Sequence, residues 1–260
     1  LPKKSLGQNF LNDKSIINKI TETGAISKED IVIEVGPGTG SLTEVILEKS
    51  PRKLIVIEKD QRLVSYLSNK FGDKITIIND DMMKFPFSNY MNKNLIIFGN
   101  LPYNLSTQIL ARWIKTKDLD KICKKFILMF QKEVADRIIA KNNSKNFGRI
   151  SILSNWKMKI DKIFDIEPKS FSPPPKVRST LLVLTPKKNF FKLQDPKNLE
   201  HVTNIFFSQR RKMIRKPMKI LFTNPDNISK QLSIELNLRP QNLDHLTYYK
   251  ICEIYEKLIN

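Results

Sequence analysis

Asn100, Leu101, Pro102 and Tyr103 follow the apolar run Leu95-Ile96-Ile97-Phe98, and together they have the parts needed to hold a weakly nucleophilic amine. An amine whose lone pair is delocalised into a ring needs acceptors for its two protons and a flat aromatic surface to fix its plane. Asn100 can supply one acceptor and Tyr103 the surface. Pro102 stiffens the turn and keeps Leu101 extended, so that the Leu101 carbonyl can supply the second acceptor. The exocyclic amine of adenine is a group of this kind, and its methylation is the chemistry these four residues fit.

A second constellation lies upstream. In Ile33-Glu34-Val35-Gly36-Pro37-Gly38-Thr39-Gly40, glycines close an apolar run and open a helical pattern, so the backbone can turn tightly and approach a ligand. A dinucleotide site wants G-x-G-x-x-G, with pyrophosphate on a helix N-terminus. Here the glycines stand at alternate positions, and Pro37 removes a donor that a phosphate could have used. The pattern suits a cofactor without phosphates, such as S-adenosylmethionine. Glu58 ends the next apolar run, where its carboxylate can accept from both ribose hydroxyls. Asp80 and Asp81 follow the run after that, and either can accept from an adenine amine; spacing alone does not choose between them.

These residues need a frame. Short β-branched runs at Ile31–Val35, Leu54–Glu58, Ile75–Ile78, Leu95–Phe98 and Phe126–Phe130 alternate with helical patterns such as Leu105, Ile109, Leu110 and Trp113. That alternation predicts βαβ units, hence an α/β, Rossmann-like, doubly wound parallel sheet that binds ligands beyond the carboxyl ends of its strands. Thr180–Leu184 is expected to close the sheet in an edge hairpin. Pro186–Pro196 carries charge and prolines without a period and is read as a linker. The rest has helical stretches and no strand, so the expected division is 1–187, the cofactor-binding methyltransferase domain, and 188–260, a small C-terminal α-helical domain.

The bulk composition narrows the partner. Lysine and arginine total 45 against 26 acids, a net charge of +19, which points to a polyanion and first to nucleic acid. From Val202 to Phe222 six basic residues occur without an acid, and a basic helix is expected there, with Arg210, Arg211, Lys212 and Arg215 as phosphate contacts. Pro217 is expected to kink or end it. Lys3 and Lys4 could extend the footprint. The only histidines are His201 and His245, and Cys123 and Cys252 have no metal-ligand spacing, so neither a metal site nor a disulfide framework is expected. No apolar stretch approaches the length of a membrane helix. The reading is a soluble, cytoplasmic monomer with no membrane partner.

With Gly36, Gly38, Gly40, Glu58, Asp81 and Asn100-Leu101-Pro102-Tyr103 in this order, the chain resembles the small-subunit ribosomal RNA adenine N6,N6-dimethyltransferases. Leu6-Gly7-Gln8-Asn9-Phe10-Leu11 resembles that family's N-terminal signature, which folds over the bound cofactor. Phe171-Ser172-Pro173-Pro174-Pro175-Lys176-Val177 is similar to its late proline loop, and Phe207–Lys212 to a segment of its helical domain. The resemblance implies that Gln8, Asn9, Leu11, Gly36, Gly38, Glu58, Asp81 and Asn100 line the S-adenosylmethionine site, and it selects Asp81 over Asp80. It places Phe171 against the target adenine, opposite Tyr103. The implied substrate is a pair of adjacent adenosines near the 3′ end of small-subunit ribosomal RNA, within a pre-30S-like particle. Competing readings are a large-subunit ribosomal RNA adenine methylase of the antibiotic-resistance kind, a protein glutamine methyltransferase, and a binding-only ribosome-assembly or mitochondrial transcription factor of the same fold.

Overall fold

The computed structural model describes residues 8–102 and 105–259, so Lys3, Lys4 and Tyr103 lie outside the described residues. Two compact units are present. One comprises Leu1–Ala135 with Lys159–Pro186, the other Asp136–Met158 with Lys187–Asn260.

The first unit begins with β1 (Phe10–Leu11) and α1 (Lys14–Gly24), followed by β2 (Ile31–Val35), α2 (Ser41–Glu48), β3 (Lys53–Ile57), α3 (Gln61–Phe71), β4 (Thr76–Ile78) and β5 (Leu95–Asn100). Next come α4 (Ser106–Ile114), α5 (Leu119–Ile122), β6 (Cys123–Gln131) and α6 (Lys132–Ile138). After α7 (Arg149–Lys157), the chain forms β7 (Met158–Ile166), β8 (Phe171–Ser172) and β9 (Ser179–Pro186). Seven strands form one sheet in the order β4-β3-β2-β5-β6-β9-β7, while β1 pairs separately with β8. From β4 to β6 the pairing is parallel, and β9 runs antiparallel to β6. The central strands are buried almost throughout, as continuous apolar runs must be when both faces of a parallel sheet are covered.

Helix starts are set by short acids. The Asp13 carboxylate accepts from the Ser15 and Ile16 N–H groups and so caps α1, and Asp60 accepts from Arg62 N–H at the head of α3. Helix α1 ends at Gly24, where a Cβ would stand 2.5 Å from the Phe98 ring. This absence of a side chain lets the helix lie close on β5.

Thr180–Leu184 lies in β9, which is the penultimate strand at one edge of the sheet, paired with the outermost strand β7 as an edge hairpin would be. Sequence patterning missed β7 because lysines and aspartates interrupt it, and its middle is largely solvent-facing. Charged side chains of this kind blunt an edge against pairing with another chain. Pairs such as Lys162–Asp165 at 2.9 Å keep them partnered.

The second unit contains α8 (Pro196–Phe207), α9 (Arg215–Leu221), α10 (Pro225–Leu232) and α11 (His245–Ile259) beside α7. Its division from the first unit differs from a single cut after residue 187: Asp136–Met158 joins the C-terminal helices. The reason is packing. Helix α7 buries Ile152, Leu153 and Trp156, Tyr249 Oη donates to the Ile152 carbonyl at 2.9 Å, and Trp156 Nε1 donates to the Phe191 carbonyl at 2.7 Å.

Between the end of β9 at Pro186 and the start of α8 at Pro196 the chain has no regular structure, yet it is not a free tether. Lys187 Nζ donates to the Asn155 carbonyl, and the Gln194 and Asp195 N–H groups donate to the buried Glu256 carboxylate at 2.8 and 3.0 Å. Asn198 Nδ2 adds a third bond to Glu256. Glu256→Ala would leave these donors unmatched. A loss of about 3 kcal/mol in unfolding free energy is expected in urea denaturation.

Candidate active site

The sheet order reverses between β2 and β5, which are hydrogen-bonded neighbours with Val35 opposite Gly99. At such a switch point the loops leaving the carboxyl ends diverge and open a crevice. The glycine turn leaves β2 there, and Asn100 closes β5 beside it. Glu58 follows β3 and Asp81 follows β4, so the four chemical segments stand in a row along one edge of the sheet.

One pocket gathers Gln8, Asn9, Leu11, Gly36, Gly38, Glu58, Asp81, Asn100, Leu101 and Pro102. Asp80, Glu34 and Lys59 also line it. The turn takes a left-handed backbone at Gly36 (φ 67°), Gly38 (φ 59°) and Gly40 (φ 78°), a conformation that glycine adopts without strain. Gly38 has a further constraint, since a Cβ there would meet the Phe10 ring at 2.5 Å. Residues 8–11 therefore form one wall of the pocket, and they are tethered at several points. Gln8 Nε2 donates to Asp60 Oδ2 at 3.3 Å, Asn100 Nδ2 donates to the Asn9 carbonyl at 2.8 Å, and Leu11 pairs with Phe171.

The pocket is acidic within a strongly basic chain. Glu58 is buried and accepts from Asp60 N–H at 2.8 Å, with the Lys59 and Gly38 N–H groups also facing its carboxylate. Burial still outweighs these donors and pushes its carboxyl above the ordinary value. Glu34, 2% exposed, is pushed up to about 7 by burial, against the hydrogen bond from Thr43 Oγ1 at 2.6 Å and with the nearby Glu58 charge adding to the rise. Asp81 caps the 3-10 turn Met82–Lys84 through the Met83 N–H and pairs with Lys59 Nζ at 3.0 Å; these donors hold it below the ordinary carboxylate value. Four carboxylates and one lysine make a poor seat for phosphates and a good one for a cationic ligand.

At the end of β5, Leu101 is buried and its neighbour Pro102 accepts from Leu105 N–H at 2.9 Å. Among the described residues no donor reaches the Leu101 carbonyl or Asn100 Oδ1. These are the two acceptors that the sequence singles out.

Phe171 is placed elsewhere. Its side chain is 2% exposed, belongs to the core cluster with Leu11, Ile166 and Leu181, and does not line the pocket. In the β1–β8 pairing, strand alternation turns Phe171 inward and leaves Ser172 outside. In this conformation the Phe171 ring is therefore buried beside the pocket and not exposed within it. Glu34 is the site residue that sequence reasoning left unassigned. It precedes the glycine turn inside an apolar strand, and a carboxylate in that setting is itself a signal.

The basic segment of the second unit also differs from expectation. Helix α8 stops at Phe207, and Arg210–Lys212 form a turn instead of a continuous helix to Phe222. Pro217 neither kinks nor ends α9, because it lies in the first turn, where its missing N–H has no intrahelical acceptor to lose. Arg210 Nη2 donates to the Ser144 carbonyl at 3.3 Å and to that of Lys145, so its role is partly structural. Arg211 and Lys212 are exposed, and Arg215 faces Asp226 at 3.4 Å.

A family model described as ribosomal RNA adenine dimethylase matches residues 2–259. The ribosomal RNA small subunit methyltransferase A of Pelagibacter ubique is 53% identical, with 98% of this chain and 97% of that protein covered. The protein of the same name from Ehrlichia canis is 38% identical over 96% of this chain and 95% of its own length. Among solved structures, a dimethyladenosine transferase from Plasmodium falciparum superposes with a TM-score of 0.77 at 26% identity, covering 93% of this chain and 95% of that one. The 23S rRNA methyltransferase ErmE shares the fold, with a TM-score of 0.70 at 18% identity over 96% of this chain and all of that one. The chain that builds this acid-lined crevice belongs to the ribosomal RNA adenine dimethylase family.

Proposed function

We propose that this protein transfers methyl groups from S-adenosylmethionine to N6 of two adjacent adenosines near the 3′ end of small-subunit ribosomal RNA, yielding N6,N6-dimethyladenosine. It acts as a cytoplasmic monomer on a pre-30S-like particle during subunit biogenesis. The observation that carries this reading is the acid-lined crevice at the β2/β5 switch point with Asn100 and the Leu101 carbonyl beside it. No described helix is long and apolar enough to cross a membrane.

The donor set fits the cofactor. Glu58 offers a carboxylate for paired hydroxyls, Asp81 one for an amine, and the side-chain-free surface at Gly36 and Gly38 allows close approach. Gln8, Asn9 and Leu11 close the wall. When bound, S-adenosylmethionine supplies a methyl group already activated on a sulfonium. No strong base is then required of the protein. Asn100 Oδ1 and the Leu101 carbonyl accept the two N–H groups of the target amine, set its direction and favour the charge that develops on nitrogen. Pro102 holds the turn, and Tyr103 is assigned the aromatic face on the strength of the sequence. A proton leaves to water. After the first transfer one N–H remains, and a single acceptor is enough to orient the amine again.

The exposed cations of the second unit, Arg211, Lys212 and Arg215, contact RNA phosphates, and Arg210 supports them by holding the turn to the segment at Ser144–Lys145. Reversing Arg211, Lys212 and Arg215 together to glutamate should weaken binding to small subunits about tenfold or more at 0.1 M salt and flatten the salt dependence. Unchanged binding in a filter assay would reassign the segment as structural.

The decisive test is mass spectrometry of ribosomal RNA from unmodified subunits incubated with the protein and S-adenosylmethionine. Two methyl groups on each of two neighbouring adenines of the small subunit are expected. Incorporation into large-subunit RNA, or none at all, would refute the assignment.

A further inference from the structure

The bond from Asn100 Nδ2 to the Asn9 carbonyl, 2.8 Å long, joins residues 91 positions apart and has a directional consequence. A carbonyl only accepts. The Asn100 amide must therefore present its NH2 group to Asn9, because the reversed amide would set two oxygens against each other. What remains for a substrate is Oδ1, the end that an amine N–H requires. The polarity of the candidate acceptor is thus set by the backbone of the N-terminal segment.

The Asn9 carbonyl is in turn held from both sides. Toward the C-terminus, the Phe10 ring packs on Gly38 where any side chain would collide at 2.5 Å, Leu11 pairs with Phe171, and Asn12 N–H donates to the Ser170 carbonyl at 3.0 Å. Toward the N-terminus, Gln8 is tethered to Asp60, whose carboxylate is itself fixed by Arg62 Nη2 at 2.6 Å. Phe10 follows Asn9 directly; its backbone pairs with Ser172, and its ring adds the packing on Gly38 that a substitution can remove. Losing its ring would free Asn9 to drift, and the Asn100 amide could then rotate.

We propose that Phe10 is a positioning residue for methyl transfer: its packing on Gly38 holds the Asn9 carbonyl against Asn100 and so keeps Oδ1 turned toward the target amine. This rests on the methyl-transfer reading above and adds a residue that touches neither the amine nor its acceptors. A misorientation of this kind costs turnover instead of affinity, since the particle is bound largely through phosphates elsewhere.

The test is steady-state methyl transfer to unmodified small subunits at saturating S-adenosylmethionine, with wild type, Phe10→Ala and Phe10→Leu side by side. Phe10→Ala should lower kcat about tenfold or more while KM for the subunit stays within about twofold, and Phe10→Leu should recover to within about threefold of wild type. A defect that disappears at saturating cofactor would overturn the proposal, because Phe10 would then be only a pocket wall. Should Phe10→Ala fail to fold, Gln8→Ala loosens the segment from its other end without opening the core. A kcat decrease of about threefold at unchanged KM is expected there, and wild-type kcat would overturn the proposal. An inactive wild type would instead count against the methyl-transfer reading itself.

Discussion

Asn100→Ala is expected to lower methyl transfer about a thousandfold, a loss of ~4 kcal/mol in transition-state stabilisation, with little change in affinity for the small subunit. The substitution removes Oδ1, one of the two acceptors proposed for the target amine, and it also removes the NH2 group that anchors the Asn9 carbonyl. The main chain at Leu101 keeps the other acceptor, so the amine can still enter but lacks a fixed direction. Because Asn100 ends a buried central strand whose ladder to β2 and β6 does not use its side chain, the fold should persist. Single-turnover methyl incorporation, with subunit binding measured in parallel, separates the two effects. Near-wild-type turnover would remove Asn100 from the site.

The second large effect concerns the buried carboxylates. Glu58→Ala should weaken S-adenosylmethionine binding about a hundredfold, since a buried carboxylate that accepts from a ligand contributes more than a neutral group. Calorimetric titration measures it directly, and retention of wild-type affinity would remove Glu58 from the cofactor wall. Glu34 adds a pH dependence. Its folded value of about 7 lies above the ordinary 4.5, so the protonated form is favoured by the fold. That contribution to stability is complete below about 4.5 and is lost as pH rises through about 7. A ligand with net positive charge prefers the ionised carboxylate. Cofactor affinity should therefore increase from pH 6 to pH 8, and Glu34→Gln should flatten the increase. A pH-independent wild-type affinity would show that Glu34 does not sense the ligand.

Local patterns made much of this molecule legible in advance. Apolar runs of four or five residues located β2 through β6, and the interior strands β2, β3, β5 and β6 are apolar almost throughout because both of their faces are covered. The glycine spacing, Glu58 and Asn100 were readable because each lies at or just beyond a strand end, and parallel strands bring their carboxyl ends to one edge whatever the crossovers look like. Strand β7 was not legible. An edge strand needs only one covered face and one partner, so its lysines and aspartates erase the apolar run that marks the others. The basic stretch after Phe207 misled for a related reason: charge spacing alone cannot distinguish a helix from a turn, and here the Arg210 bonds to Ser144 and Lys145 support the turn.

The sequence by itself determined which chemical groups are available and the order in which strands deliver them, because residue type and strand-end position are local properties of the chain. Tertiary structure alone decided which groups meet. It buried Phe171 under the β1–β8 pairing instead of presenting it, brought Glu34 into the pocket beside Glu58, and moved Asp136–Met158 into the second unit. It also turned the Asn100 amide through a carbonyl 91 residues away. Such contacts depend on packing between distant segments, and no spacing along the chain encodes them.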